Sequence, residues 1–228
     1  MLVYMITPGE EPKRNPKGDR DPKTRSTQAK KRFLESMEMN YEKWHDGTGY
    51  DLNALDEMTK EDKDSIVSML TTNLDEPWRT FEALERINTK QSRSIINDSL
   101  NHHSLQVRIA ASRFAKDSDA ARQRVLVEAI ERAELYEGLT QALSEVETFH
   151  PKGIIDALLR GLIKRGDTCA VNFAGMLLYI HGKADSSFDW DKRPLFLRFN
   201  TPDPNERKNA FVDLCKIIGV DPKPYLLT

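Results

Sequence analysis

Phe81-Glu-Ala83-Leu84 recurs in looser form as Ile109-Ala-Ala111-Ser112, Thr140-Gln-Ala142-Leu143 and Asn172-Phe-Ala174-Gly175, and this recurrence decides the fold. The alanines lie 28, 31 and 32 residues apart. Each sits among apolar residues at helical spacing, and the first three segments are each followed by a second amphipathic run, over 94–100, 124–130 and 153–162. Breaks separate the helices at Asn88-Thr89, Lys116-Asp117-Ser118 and His150-Pro151, and Pro77 and Pro151 are placed as first helical residues. A helix pair with one apolar face cannot bury that face alone, so a repeat of two helices predicts stacking into an all-α, α-solenoid array of antiparallel pairs. Small alanines at the shared position let neighbouring helices approach closely. A plain helical bundle with coincidental spacing is the alternative.

On the N-terminal side, Ala29, Phe33, Leu34, Met37 and Tyr41 predict a helix over 28–44 that stops at Asp46-Gly47-Thr48-Gly49. Asp51 is placed to cap a short turn through Leu55, and Thr59-Lys-Glu-Asp62 has the pattern of a capping box ahead of Ile66, Val67, Met69 and Leu70. Residues 7–27 are rich in proline, glycine and charge. Such a segment cannot bury enough surface to offset its ordering entropy. The expected organisation is a disordered basic tail over 1–27, a single repeat domain over 28–222 and a C-terminal tail over 223–228. On the C-terminal side, 182–194 is a polar loop with an aromatic centre. A last amphipathic helix over 205–218, carrying Ala210, Phe211, Leu214, Ile217 and Ile218 and stopped by Gly219 and Pro222, is expected to cap the array.

The 34 basic and 36 acidic residues of the chain are unevenly spread. The first 32 residues hold nine Lys/Arg against four Asp/Glu, so the tail is basic and the remainder carries −7. An acidic body argues against nucleic acid as the main ligand, because phosphate binding needs clustered cations. It suits a basic protein partner, although solubility alone accounts for it equally well. Cys169 and Cys215 stand in apolar helical contexts and are expected to be buried free thiols in a reducing cytoplasm. The apolar start, residues 1–6, precedes its basic residues, the reverse of a secretory leader, and no run approaches the ~20 apolar residues of a membrane span.

The sequence carries no phosphate loop, dinucleotide fingerprint, HExxH or GxSxG pattern. His45, His102, His103, His150 and His181 fall near helix ends, where imidazole interacts well with the helix dipole. The run Asp185-Ser-Ser-Phe-Asp189-Trp-Asp191 lacks the glycine and distal glutamate of a calcium loop. Neither a metal, a cofactor nor an enzymatic activity is expected. Two polar-aromatic segments stand out instead. The first offers Trp44, His45, Asp46, Tyr50 and Asp51, and the second Asp185, Asp189, Trp190 and Asp191, beside Phe188. Exposed aromatics beside carboxylates are typical of interface hot spots. The competing reading has these aromatics packing over the ends of the array while the carboxylates cap helices.

Three stretches carry a resemblance: Met39-Asn-Tyr-Glu-Lys-Trp44-His-Asp-Gly-Thr-Gly-Tyr50-Asp-Leu52, Phe188-Asp-Trp-Asp-Lys-Arg-Pro-Leu-Phe-Leu-Arg-Phe199, and Glu206-Arg-Lys-Asn-Ala-Phe-Val-Asp-Leu-Cys-Lys-Ile-Ile-Gly-Val-Asp-Pro222. With the helix pairs between them, they resemble bacterial HEAT-like repeat proteins found beside polymorphic toxin genes, over roughly residues 28–222. The resemblance implies an immunity protein that binds a cognate, basic toxin domain and occludes its active site. The basic tail departs from that pattern. A generic protein-binding scaffold is the alternative, and a HEAT-like DNA glycosylase a further one, with Arg93, Arg122, Arg124, Arg132, Arg160, Lys164 and Arg165 as its possible basic strip. The oligomeric state is left open.

Overall fold

The computed structural model describes residues 21–38, 40–72, 74, 77–115, 119–165 and 168–226, and of Trp44 the backbone. Among these residues every regular element is a helix. The chain divides into two compact units, Met1–Ser65 and Ile66–Thr228, where the sequence expects one domain.

The first unit holds α1 (Pro22–Met37), α2 (Tyr41–His45), α3 (Leu52–Asp56) and the start of α4 (Lys60–Thr72). Helix α1 starts six residues before the expected onset of order, with Pro22 in its first turn. Its early turns carry almost no apolar surface and are held by polar contacts from distant residues. Ser26, fully buried, accepts from the Thr59 amide at 2.8 Å and donates to Asp62 at 2.5 Å, while Arg25 and Arg32 grip Glu57 at 3.2 and 2.8 Å. Residues 1–20 of the expected tail lie outside the described residues. The Thr59-Asp62 box is therefore only half local. Asp62 receives no bond from the Thr59 amide, because Ser26, 33 residues away, has taken it.

The expected helix over 28–44 is broken in two. Glu38 is extended, and Asn40 caps α2 by accepting from the Lys43 amide at 2.8 Å. The Lys43 ammonium then bonds the freed carbonyls of Glu35 and Glu38 at 3.0 and 2.8 Å. The last carbonyls of a helix have no partner within it, and this lysine supplies one to two of them at the exposed end of α1.

The second unit continues with α5 (Pro77–Ile87), α6 (Lys90–Asp98), α7 (Leu105–Phe114), α8 (Asp119–Arg132), α9 (Leu139–Val146), α10 (Lys152–Lys164), α11 (Thr168–Ile180), α12 (Arg193–Phe196), α13 (Pro204–Ile218) and α14 (Lys223–Leu226). All four repeated alanines, Ala83, Ala111, Ala142 and Ala174, have zero exposure, on α5, α7, α9 and α11 respectively. Helix α5 packs on α6 and α7, α7 on α8 and α9, α8 on α9 and α10, and α10 on α11 and α13. The largest cluster of buried apolar side chains runs from Ile109 to Ile218. Ion pairs tie successive helices together: Arg108 to Glu128 at 2.6 Å, Arg122 to Glu145 at 2.5 Å and Arg160 to Glu131 at 3.3 Å.

Helix ends follow the chemistry of their sequence. His150 and His181 each place Nδ1 2.8 Å from the carbonyl four residues back, closing α9 and α11 in the same way. Gly219 ends α13 in the left-handed region, φ 75°. Beyond it the expected tail forms α14. Its Tyr225 hydroxyl donates to Asp156 on α10 at 2.6 Å, and burial, reinforced by that carboxylate, pushes the phenol up to about 12. Cys169 and Cys215 are both buried and in no disulfide, and burial raises the Cys215 thiol to about 11. No helix among the described residues is long and apolar enough to cross a membrane.

Candidate partner-binding groove

Helices α5, α7, α9 and α11, the bearers of the repeated alanines, line a groove within the second unit. One part, about 430 Å³, runs from Trp78 past Ala110 and Arg113 to Ser144 and Glu145. Another, about 200 Å³, continues from Ser144 past Asn172 and Met176 to Phe188. Ser144 lines both parts. Small side chains at Ala110 and Ser144 open the groove, and aromatic residues stand at its ends.

Glu145 is fixed at the edge of the first part. Its side chain is 13% exposed and pairs with Arg122 at 2.5 Å and Arg113 at 3.5 Å. The Arg122 guanidinium also stacks on Phe149, 4.4 Å from the ring centre. Two arginines thus hold this glutamate in place at the edge of the groove.

The far end is built by the loop between α11 and α12. Gly182, φ 64°, ends α11, and the Lys183 amide reaches back to the Leu178 carbonyl at 2.8 Å. The loop then lies directly on α11. A Cβ added at Gly175 would stand 2.3 Å from the Ser187 carbonyl oxygen, so only glycine allows that approach. Ser187 is buried and donates to Glu147 of the α9 end at 3.0 Å. Asp189 accepts from the amides of Asp185 at 3.1 Å and Asp191 at 2.9 Å. These two backbone bonds, the first foremost, hold its carboxyl below the ordinary range. The result is a fixed loop whose Phe188 and Trp190 remain 65% and 76% exposed. Arg193 covers one face of the Trp190 ring at 4.6 Å.

Of the second segment named from the sequence, Phe188 lines the groove, and Asp185, Asp189, Trp190 and Asp191 do not, although they belong to the same loop. Trp190 and Phe188 face outward, Asp189 is consumed inside the loop, and Asp185 and Asp191 supply amides to it and are exposed. Lys183, Lys192 and Arg193 flank the three aspartates, so the loop as a whole carries no net charge.

The first segment lies in the other unit. His45 and Asp46 are exposed and paired at 3.0 Å. Tyr50 is half-buried, edge-on to Phe33 with ring centres 5.7 Å apart, and Asp51 caps α3 by accepting from the Ala54 amide at 3.2 Å. The side chain of Trp44 lies outside the described residues.

Sequence reasoning missed Trp78, Ser144, Asn172 and Met176. They belong to three different helices, and neutral residues of this kind carry no local signal of a groove. Tyr136, 94% exposed in the turn Leu135–Glu137, was missed as well; Gln106 of α7 bonds its carbonyl at 3.3 Å. Among the described residues, no group of three or more His, Cys, Asp or Glu side chains is placed to hold a metal ion. Compared with known proteins, the chain matches no family model, no curated protein and no solved structure.

Proposed function

We propose that this chain is an immunity protein, which binds a cognate bacterial toxin domain through the groove of its second unit and covers the toxin's active site. The observation that carries the reading is the pair of exposed aromatics, Phe188 and Trp190, on a loop locked at Gly175, Ser187 and Asp189. A large apolar side chain held in place before binding loses little entropy on contact, which is what a hot spot requires. The helices are read as an α-solenoid, capped by α13. In support, α5 packs on α6 and α7, α7 on α8 and α9, and α8 on α9 and α10, and the four repeated alanines are all buried. Stacked pairs of this kind present extended surfaces suited to clasping a protein. The −7 beyond residue 32 falls within residues 33–65, and residues 66–228, which hold the groove, balance 22 Lys/Arg against 22 Asp/Glu, so the support comes from the aromatic side chains and not from net charge.

The test is rescue and capture. The C-terminal domain of the large protein encoded beside this gene is expressed with and without this chain. The expected outcome is growth arrest relieved by co-expression, with a stable complex on purification. A harmless neighbour, or one that does not bind, removes the immunity reading and leaves a binding scaffold for another protein.

A further inference from the structure

Away from the groove, the C-terminal ends of α8 and α10 enclose a cleft of about 290 Å³ lined by Glu131, Arg132, Arg160, Gly161, Lys164 and Arg165. Four cations against one carboxylate is an unusual balance in a stretch, residues 66–228, whose 22 Lys/Arg and 22 Asp/Glu cancel. Among the described residues, the four nearby acids are already engaged. Glu128 pairs with Arg108, Glu131 with Arg160, Glu134 with Arg165, and Asp156 with Lys152 and Tyr225.

Helix C-termini ordinarily repel anions, because their last carbonyls carry partial negative charge. Here Arg165 removes that obstacle. Its side chain is 12% exposed, and its guanidinium donates to the carbonyls of Ile130 at 3.1 Å and Ala133 at 2.7 Å, closing the end of α8. Arg165 is thus a pillar, and the charges that remain at the mouth are Arg132 and Lys164, both exposed, with Arg160 shared with Glu131.

The geometry points to an anion site for a phosphoryl group, formed by Arg132, Arg160 and Lys164 around the Arg165-capped end of α8. A dianionic oxyanion with several acceptor oxygens matches two guanidinium forks and an ammonium, and would draw Arg160 away from Glu131. The volume accommodates a phosphoryl group with a substituent, from a free phosphoester or from a nucleic-acid backbone. The site is independent of the proposed partner groove, since α8 and α10 do not line it.

Titration calorimetry of the full chain with pyrophosphate tests this, alongside a short single-stranded oligonucleotide. Saturable binding is expected, weakened about tenfold in Arg132→Ala and in Lys164→Ala. Glu131→Gln should tighten it, because the change removes the opposing carboxylate and frees Arg160. Arg124→Ala, an exposed cation on α8 outside the cleft, serves as a control and should leave affinity unchanged. Circular dichroism of each variant confirms that it is folded. Binding of pyrophosphate alone identifies a free phosphoester ligand, and tighter binding of the oligonucleotide with the same variant pattern identifies a backbone phosphate. No saturable binding of either probe, binding indifferent to Arg132 and Lys164, or weakening by Glu131→Gln each overturns the site.

Discussion

Residues 41–51 and 185–191 have nearly the same composition, aromatic side chains interleaved with aspartates, yet the fold uses them differently. In the first, Tyr50 turns onto Phe33 and Asp51 serves as a helix cap, so both are spent on holding their unit together. In the second, a single aspartate, Asp189, gathers the backbone, and that frees Phe188 and Trp190 to point away from it. An aromatic-acidic segment leaves its rings exposed when its backbone is satisfied from within. When the rings are needed to finish a core, the same composition is structural.

The largest expected effect breaks the second half of this comparison. Replacing Phe188 and Trp190 together by alanine should cost about 3 kcal/mol or more of affinity for the partner. Surface truncations away from packing usually change stability by less than about 0.5 kcal/mol, so the melting temperature should hardly move. Tyr50→Ala should do the reverse, lowering the melting temperature and leaving capture intact. Calorimetry and thermal unfolding of the three proteins decide it, and a stability loss in the double variant would mean that the rings are structural.

A smaller effect is expected from Gly175→Val. Its branched side chain would meet the Ser187 carbonyl, so the loop must lift from α11. Overpacking of this kind costs about 1–3 kcal/mol. Denaturant unfolding should show that loss, and partner affinity should fall although the substituted residue touches no partner. Unchanged stability and affinity would show that the loop is not held where α11 places it.

The smallest effect sharpens the first half. Asp51→Ala removes the cap of α3 and should destabilise the chain by about 1 kcal/mol. Asp51→Asn, which can still accept from the Ala54 amide, should recover most of it in the same urea titration. If asparagine does not recover it, the role of Asp51 lies in its charge and not in the cap.

Much of the architecture was legible because it is written in local chemistry. The repeated alanines marked four helices that bury them completely, Gly219 marked the end of α13, and histidines near helix ends marked the closures of α9 and α11. The start of α1 was hidden because its stabilising partners, Thr59, Asp62 and Glu57, lie some 25–36 residues away. The groove was half legible. Its aromatic loop could be named, while Trp78, Ser144 and Met176 became neighbours only once α5, α9 and α11 had packed.

By itself, the sequence determined the helical class and most of the face that each helix buries, since periodicity and capping act within a few residues of chain; Met69 and Ile217, read as parts of such faces, are 42% and 44% exposed, and α10, expected to pair with α9, packs instead on α8 and α11. Tertiary structure alone decided which aromatic rings stayed exposed, which carboxylates were consumed, and which cations were gathered at Arg132, Arg160 and Lys164. The physical reason is that exposure and net local charge are properties of what packs alongside a residue, and that neighbour is commonly thirty positions away in the chain.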